Sequence, residues 1–193
     1  MAGSAGTAVA GTGTAQTDAA QADPGIWMQV EIPAGSRIKY EIDAQGRLFV
    51  DRFLPGAESY PANYGGLPGT VAGDGDPLDA LLVTREPLPA GVRIAVRPIG
   101  LLRMRDGGQA DDKLIAVPAA GVDADYAQWQ DLADLPPGLR LRIKAFFAGY
   151  KSTTCTAECG VAAGTVNPVQ LRGWGGAAEA MQLFRQVQQR AGQ

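Results

Sequence analysis

Hydrophobic and polar residues alternate strictly from Arg37 to Ile42. Arg37, Lys39 and Glu41 fall on one face, and Ile38, Tyr40 and Ile42 on the other. A period of two predicts a half-buried strand. Asp43-Ala44-Gln45-Gly46 supplies a turn, and Arg47 to Asp51 the returning strand of a hairpin. Trp27 to Ile32 reads as a strand before the hairpin. Asp79 to Thr84, Val92 to Arg97, Ile99 to Arg105 and Lys113 to Val117 read as further strands, separated by Pro, Gly and Asp, and Val166 to Arg172 as one more. Two segments switch to helical spacing. Leu139 to Lys151 carries Leu139, Ile143, Phe146, Phe147 and Tyr150 after the start signal Pro136-Pro137-Gly138. Ala177 to Ala191 places Ala177, Met181, Phe184, Val187 and Ala191 on one stripe, with Arg185 and Arg190 toward its C-terminal end. Short, closely spaced strands with two helices predict a mainly β, α+β protein built on a small closed or nearly closed barrel.

The pattern stops before about Asp23. Met1 to Asp23 is almost all Ala, Gly, Thr, Ser and Gln, without periodicity. Such a segment buries too little apolar area to offset its ordering entropy, so residues 1–23 are expected to be a disordered tail and residues 24–193 one domain. A secretory signal would need a basic start and an apolar stretch. No Lys or Arg precedes Arg37, and Val9 is the only branched aliphatic residue before Ile26.

Composition narrows the chemistry. The formal net charge of −3 gives no basic surface for nucleic acid and no reason to expect a membrane-surface protein. No apolar run approaches the roughly 18 residues that span a bilayer. The 193 residues contain no histidine, which removes His-based nucleophile activation and most zinc or copper sites. Cys155 and Cys159 are the only cysteines, too few for a disulfide scaffold. A reducing, cytoplasmic setting is expected. Any catalysis must come from carboxylates, Lys, Arg, Tyr or Cys.

The sharpest local signal is Asp74-Gly75-Asp76-Pro77-Leu78-Asp79. Three carboxylates within six residues repel one another unless a cation neutralises them, and their oxygens suit hard cations such as Mg²⁺ or Mn²⁺. The same residues also make an ordinary turn. A second acidic group is Asp106, Asp111 and Asp112, followed by Lys113. If a strand begins there, Asp111 and Lys113 share a side and Asp112 points away; a solvated charged loop has the same composition. Lys39 and Glu41, then Arg52, Tyr60 and Tyr64, then Tyr150 and Lys151 complete the inventory. Each group alone has a plain structural explanation. Together they supply carboxylates for metals, cations for phosphate oxygens and phenols for hydrogen bonds. That set fits metal-assisted hydrolysis of a phosphoric anhydride.

Several stretches, in order, carry a family resemblance. They are Glu31-Ile32-Pro33, Ile38-Lys39-Tyr40-Glu41-Ile42-Asp43, Phe49-Val50-Asp51-Arg52-Phe53, Tyr60-Pro61-x-Asn63-Tyr64-Gly65, the Asp74 to Asp79 hexapeptide, Asp106-x4-Asp111-x-Lys113-Leu114, and Phe146-Phe147-x2-Tyr150-Lys151. From about Val30 to Arg190 the chain resembles the family I soluble inorganic pyrophosphatases, the bacterial ones most closely. The resemblance implies a five-stranded OB-like closed barrel with two flanking helices. It implies hydrolysis of diphosphate to two orthophosphates by direct in-line attack of a metal-activated water, without a phosphoenzyme. By the same likeness Asp74, Asp79, Asp106 and Asp111 are the ligands of several Mg²⁺ ions, with Mn²⁺ as a substitute. Asp76 is the base toward the attacking water. Lys39, Arg52, Tyr64 and Tyr150 contact phosphate, supported by Lys113 and Lys151, while Glu31, Glu41 and Tyr60 complete the polar cavity. A homo-oligomer, a hexamer in bacterial relatives, is implied too.

The chain departs from the family pattern at some positions. Gly66 stands where relatives usually carry an aromatic residue. Ala145 and Gly149 stand where many bacterial relatives carry histidines that help join trimers into hexamers. The segment Ser152 to Val166 is longer than usual and reads as a loop. The alternative to an enzyme is a divalent-cation or polyphosphate-binding module on the same fold, or an interaction protein that relies on its tail. Asp76, Lys39, Arg52 and Tyr150 favour the enzyme, since a binding module needs no base.

Overall fold

The structure, a computed structural model, describes residues 25–151 and 169–193. The expected tail, 1–23, and the loop holding Cys155 and Cys159 lie outside the described residues. Alternation in Ile26–Ile32 (β1) buries Met28, Val30 and Ile32 completely and leaves Trp27 exposed. Ile38–Ile42 (β2) and Leu48–Phe53 (β3) form the expected hairpin, which is a two-stranded sheet of its own. Asp43 ties the turn: its Oδ1 accepts from the amides of Gln45 and Arg47, each at 2.9 Å. Gly46 takes the left-handed conformation there, φ +76°.

Asn63–Leu67 (β4) is a strand that periodicity misses, because Gly65 and Gly66 carry no side-chain signal. Gly65 is demanded by close approach. A Cβ at this position would lie 1.9 Å from the carbonyl oxygen of Gln29 on β1. Leu78–Leu82 (β5) follows. Arg93–Asp106 (β6) is one strand of 14 residues, where the sequence reading divides it at Pro98. The chain runs through the proline, and the missing N–H is absorbed as a register shift against the neighbouring strand between Pro98 and Gly100. Gln109–Ala110 (β7) turns back on the end of β6, and Lys113–Pro118 (β8) is the strand expected there. Val169–Gly176 (β9) extends to Gly176 rather than Arg172, its last four residues being Gly173, Trp174, Gly175 and Gly176. Positions 166–168 of the predicted strand lie outside the described residues.

β1 pairs with both β4 and β6; β4 pairs with β5, and β8 with β6. These pairings are antiparallel, whereas β5 and β8 run parallel. β7 and β9 also pair with β6. The described residues are thus mainly β with two α-helices. Pro137–Gly149 (α1) starts two residues earlier than its apolar spacing suggests, since Pro137 suits the first turn of a helix. It ends before Tyr150 and Lys151. Ala177–Ala191 (α2) has the predicted bounds, but its buried stripe is Ala180, Phe184 and Val187, and Ala191 is exposed.

Strand alternation divides the core in two. Ile32, Leu81, Ile115 and Val117 pack with Ile143, Phe146 and Phe147 of α1. Met28, Ala80, Leu82, Leu114 and Ala116 pack with Ala180, Phe184 and Val187 of α2. Burial on this scale contributes roughly 25 cal/mol per Å² of apolar surface, which is the main force holding the helices to the sheet. No described helix is long and apolar enough to cross a membrane.

Candidate active site

All fourteen residues singled out in the sequence line one cavity of about 580 Å³: Glu31, Lys39, Glu41, Arg52, Tyr60, Tyr64, Asp74, Asp76, Asp79, Asp106, Asp111, Lys113, Tyr150 and Lys151. Pleating explains the gathering. Lys39 and Arg52 are register partners across the β2–β3 hairpin. On β4, Tyr64 and Gly66 share the face that looks into the cavity, and Asp79 of β5 is the register partner of Gly66. The ten-residue connection from Pro68 to Pro77 carries Asp74 and Asp76. β6 ends on Asp106, and Lys113 opens β8. Tyr150 and Lys151 follow α1 directly.

Charge dominates this site. Lys113 is 1% exposed and its ammonium donates to both Asp79 and Asp111. Burial alone would push the ammonium down. Asp79 and Asp111 outweigh it and hold Lys113 above its ordinary value, so it stays charged. Asp112 turns the other way, as strand alternation predicts, and its Oδ1 accepts from the Met104 amide at 2.9 Å. Lys151 pairs with Asp106. Lys39 pairs with Glu41 and, at 2.9 Å, with Asp51; burial pushes its ammonium down, and these partners more than restore it.

The acids on the opposite wall lean toward neutrality. Burial first, then Asp74, Glu41 and Asp79, push the Asp76 carboxyl up. Burial, with Asp79 and Glu41 behind it, pushes Glu31 up to about 8. The phenols of Tyr60, Tyr64 and Tyr150 are all raised, chiefly by burial, and remain protonated donors at neutral pH. They are fixed by an aromatic wall. Tyr60 lies 4.7 Å from Phe146 and 5.4 Å from Tyr64, while Tyr150 stacks on Phe146 at 5.3 Å.

The donor set is carboxylate oxygen with no nitrogen or sulfur, which suits a hard cation such as Mg²⁺. As they stand, no three acidic groups among the described residues are gathered closely enough to hold an ion. The lysines sit between them instead, Lys113 on Asp79 and Asp111, Lys151 on Asp106. The mutual repulsion recorded at Asp76 and Glu31 is what a bound cation would relieve.

The inorganic pyrophosphatase family model matches residues 28–191, which takes in every residue of this cavity. The chain belongs to the inorganic pyrophosphatase family. It is 43% identical over 159 residues to the inorganic pyrophosphatase of Haemophilus ducreyi, covering 81% of this chain and 85% of that one. It is 50% identical over 127 residues to that of Aquifex pyrophilus, covering 65% and 72%. The crystal structure of inorganic pyrophosphatase from Thermus thermophilus matches with a TM-score of 0.77 at 38% identity, over 88% of this chain and 93% of that one.

Four residues that line the cavity carry no signal of their own in the sequence: Gln29, Pro68, Gln109 and Ala110. Gln29 is the β1 register partner of Gly66, a relation that only the sheet reveals. Gly66 leaves open the wall beside Glu31, whose Oε1 would lie 3.7 Å from a Cβ added there, with the Pro77 Cβ at 3.2 Å. Asp51 stands behind the site. Its Oδ2 accepts from Lys39 Nζ at 2.9 Å and from Arg52 Nη1 at 2.8 Å, so one oxygen fixes both cations. Asp51 falls at a register irregularity between the Lys39–Arg52 and Tyr40–Val50 pairs, a feature the sequence pattern does not show.

Glu31 gives the site a pH signature without metal. Its folded pKa of about 8 exceeds the ordinary 4.5, so the folded state favours the neutral form. The stability it contributes is full below about 4.5 and is lost as pH rises through about 8. Glu31→Gln lacks this loss. In EDTA, the melting temperature of the variant minus that of wild type should therefore grow across this range and level off above it. A constant difference, measured by calorimetry, would contradict the assignment.

Proposed function

We propose that the chain hydrolyses inorganic diphosphate to two orthophosphates by direct attack of a metal-activated water, without a phosphoenzyme. The observation that carries this is the single cavity that brings Asp74, Asp76, Asp79, Asp106 and Asp111 together with Lys39, Arg52, Lys113 and Lys151. Bound Mg²⁺, or Mn²⁺ in its place, would neutralise the anhydride and lower the pKa of the attacking water. Asp74, Asp79, Asp106 and Asp111 are the residues that would hold it.

The remaining side chains act on the substrate and on the proton. Lys39 and Arg52, held side by side on the hairpin, grip phosphate oxygens and stabilise charge that develops on the leaving group. Tyr64 and Tyr150, kept protonated by burial, donate to phosphate oxygens. With a cation held by those carboxylates, Lys113 and Lys151 would be free to donate to phosphate oxygens. Asp76 accepts the proton of the attacking water. Its place in the cavity with Asp74 and Asp79 suits that task. Glu31, Glu41 and Tyr60 set the polarity of the walls. A non-catalytic cation or polyphosphate module would not need Asp76 in this place.

The pairings support the barrel reading as well. β1 pairs with β4, β4 with β5, β5 with β8, β8 with β6 and β6 again with β1, a circuit of five strands that fits an OB-like closed barrel. A homo-oligomer is proposed on the family likeness, its hexameric form weakened by Ala145 and Gly149. A cytoplasmic setting is proposed on the scarcity of cysteine. Release of two orthophosphates for each diphosphate consumed, dependent on Mg²⁺, tests the reading.

A further inference from the structure

We infer that Thr70 is a positioning residue for the metal-binding side of the cavity, acting through the connection that carries Asp74 and Asp76. The inference rests on the metal reading above. Thr70 is a buried polar side chain, 4% exposed, that does not line the cavity. Its hydroxyl donates to the Leu67 carbonyl at 2.6 Å and accepts from the Leu78 amide at 2.8 Å. Leu67 and Leu78 are the last register partners of the β4–β5 ladder, and both are buried. The hydroxyl thus bridges the two strands at the point where the ten-residue connection leaves them.

Beyond Thr70 the connection is held at Val71 and by Ala72, which packs against the core beside Val187. Gly69 and Gly75 take left-handed conformations, φ +80° and +94°, and Gly73 adds a third residue without a side chain. Within the connection, the Ala72 amide donates to the Asp76 carbonyl and the Asp76 amide to Asp74 Oδ1. These bonds shape its tip but do not fix it to the sheet. The Val71 amide donates to the Val187 carbonyl of α2 at 3.1 Å. Thr70 and Val71 are therefore adjacent anchors, one to the strands and one to the helix. Asp79 sits just inside β5, on the rigid side of the bridge, while Asp74 and Asp76 sit on the far side. The bridge sets the distance between carboxylates that must converge on the same ions. Groups hydrogen-bonded directly to metal ligands change affinity about 10-fold to 100-fold, and Thr70, acting one step further out through Leu78 beside Asp79, is expected at the low end of that range.

Only a hydroxyl can donate and accept at once from this place. Thr70→Val keeps the shape and loses both bonds, and Thr70→Ser keeps both bonds. The test is titration calorimetry with Mg²⁺ alone, on the full chain, with melting temperatures in EDTA and in Mg²⁺. Thr70→Val should weaken Mg²⁺ binding about 10-fold and shrink the melting shift that Mg²⁺ produces, while Thr70→Ser restores both. A merely structural role would lower the EDTA melting temperature of Thr70→Val and leave its Mg²⁺ dissociation constant at the wild-type value. That result overturns the inference and leaves the metal reading standing. If wild type itself shows no Mg²⁺ binding, the metal reading fails and this inference falls with it. Should Thr70→Val not fold, hydrogen exchange of wild type decides: Mg²⁺ should slow exchange of the Leu78 amide, and an unchanged rate overturns the inference.

Discussion

Asp76→Asn is expected to slow diphosphate turnover about 10²-fold or more, the scale of losing a positioned general base. The substitution is isosteric, and the Asp76 side chain is exposed at the tip of its connection, so the fold should be kept. The amide cannot accept a proton. Wild type should lose activity on the acid side as Asp76 takes up a proton, a form that burial, then Asp74 and Glu41, favour. The variant should lack that limb. Steady-state kinetics across pH, on protein shown to be folded by circular dichroism, checks both points. A near-normal rate with a wild-type acid limb would remove Asp76 from this role.

Lys113→Met should have the largest effect on stability. The ammonium is almost fully buried and is shared by Asp79 and Asp111, whose side chains are 26% and 15% exposed. Without it, two partly buried carboxylates face each other. Breaking a buried pair by removing one partner costs on the order of 3 kcal/mol. Urea unfolding in EDTA should show a loss of that size. Excess Mg²⁺ should restore much of it, because a divalent cation can take the place of the ammonium between the same two acids. Mg²⁺ should accordingly stabilise Lys113→Met more than it stabilises wild type. Equal stability of the two proteins in EDTA would mean that the pair contributes little.

What could be read in the sequence follows from how each feature is encoded. The β2–β3 hairpin and α2 were legible because their periods are local and their turns carry Asp, Gly or basic signals. β4 was not, since Gly65 is there for the approach of β1 and neither Gly65 nor Gly66 says anything in a hydrophobic pattern. The continuity of β6 was hidden by Pro98, whose missing donor is tolerated only because the partner strand shifts register there. The fourteen cavity residues were legible as chemistry and as family motifs, and the fold brings them to one place. Asp51 and Thr70 were not legible. Each works through partners that only the folded sheet supplies, Lys39 and Arg52 for one, Leu67 and Leu78 for the other. The stripe of α2 was legible at Met181, Phe184 and Val187, which pack on the core, but it missed Ala180, which is buried, and included Ala191, which is exposed.

The central claim is that this cavity hydrolyses diphosphate with the help of a divalent cation. Its most direct test is orthophosphate released from inorganic diphosphate by the purified full chain, first with Mg²⁺, then with EDTA, then with Mg²⁺ restored in excess. The account predicts two orthophosphates per diphosphate, activity abolished by EDTA and regained with Mg²⁺, and turnover reduced about 10²-fold in Asp76→Asn under the same conditions. Wild-type protein that binds Mg²⁺ and diphosphate yet releases no orthophosphate would contradict it, and would leave a binding module as the better account.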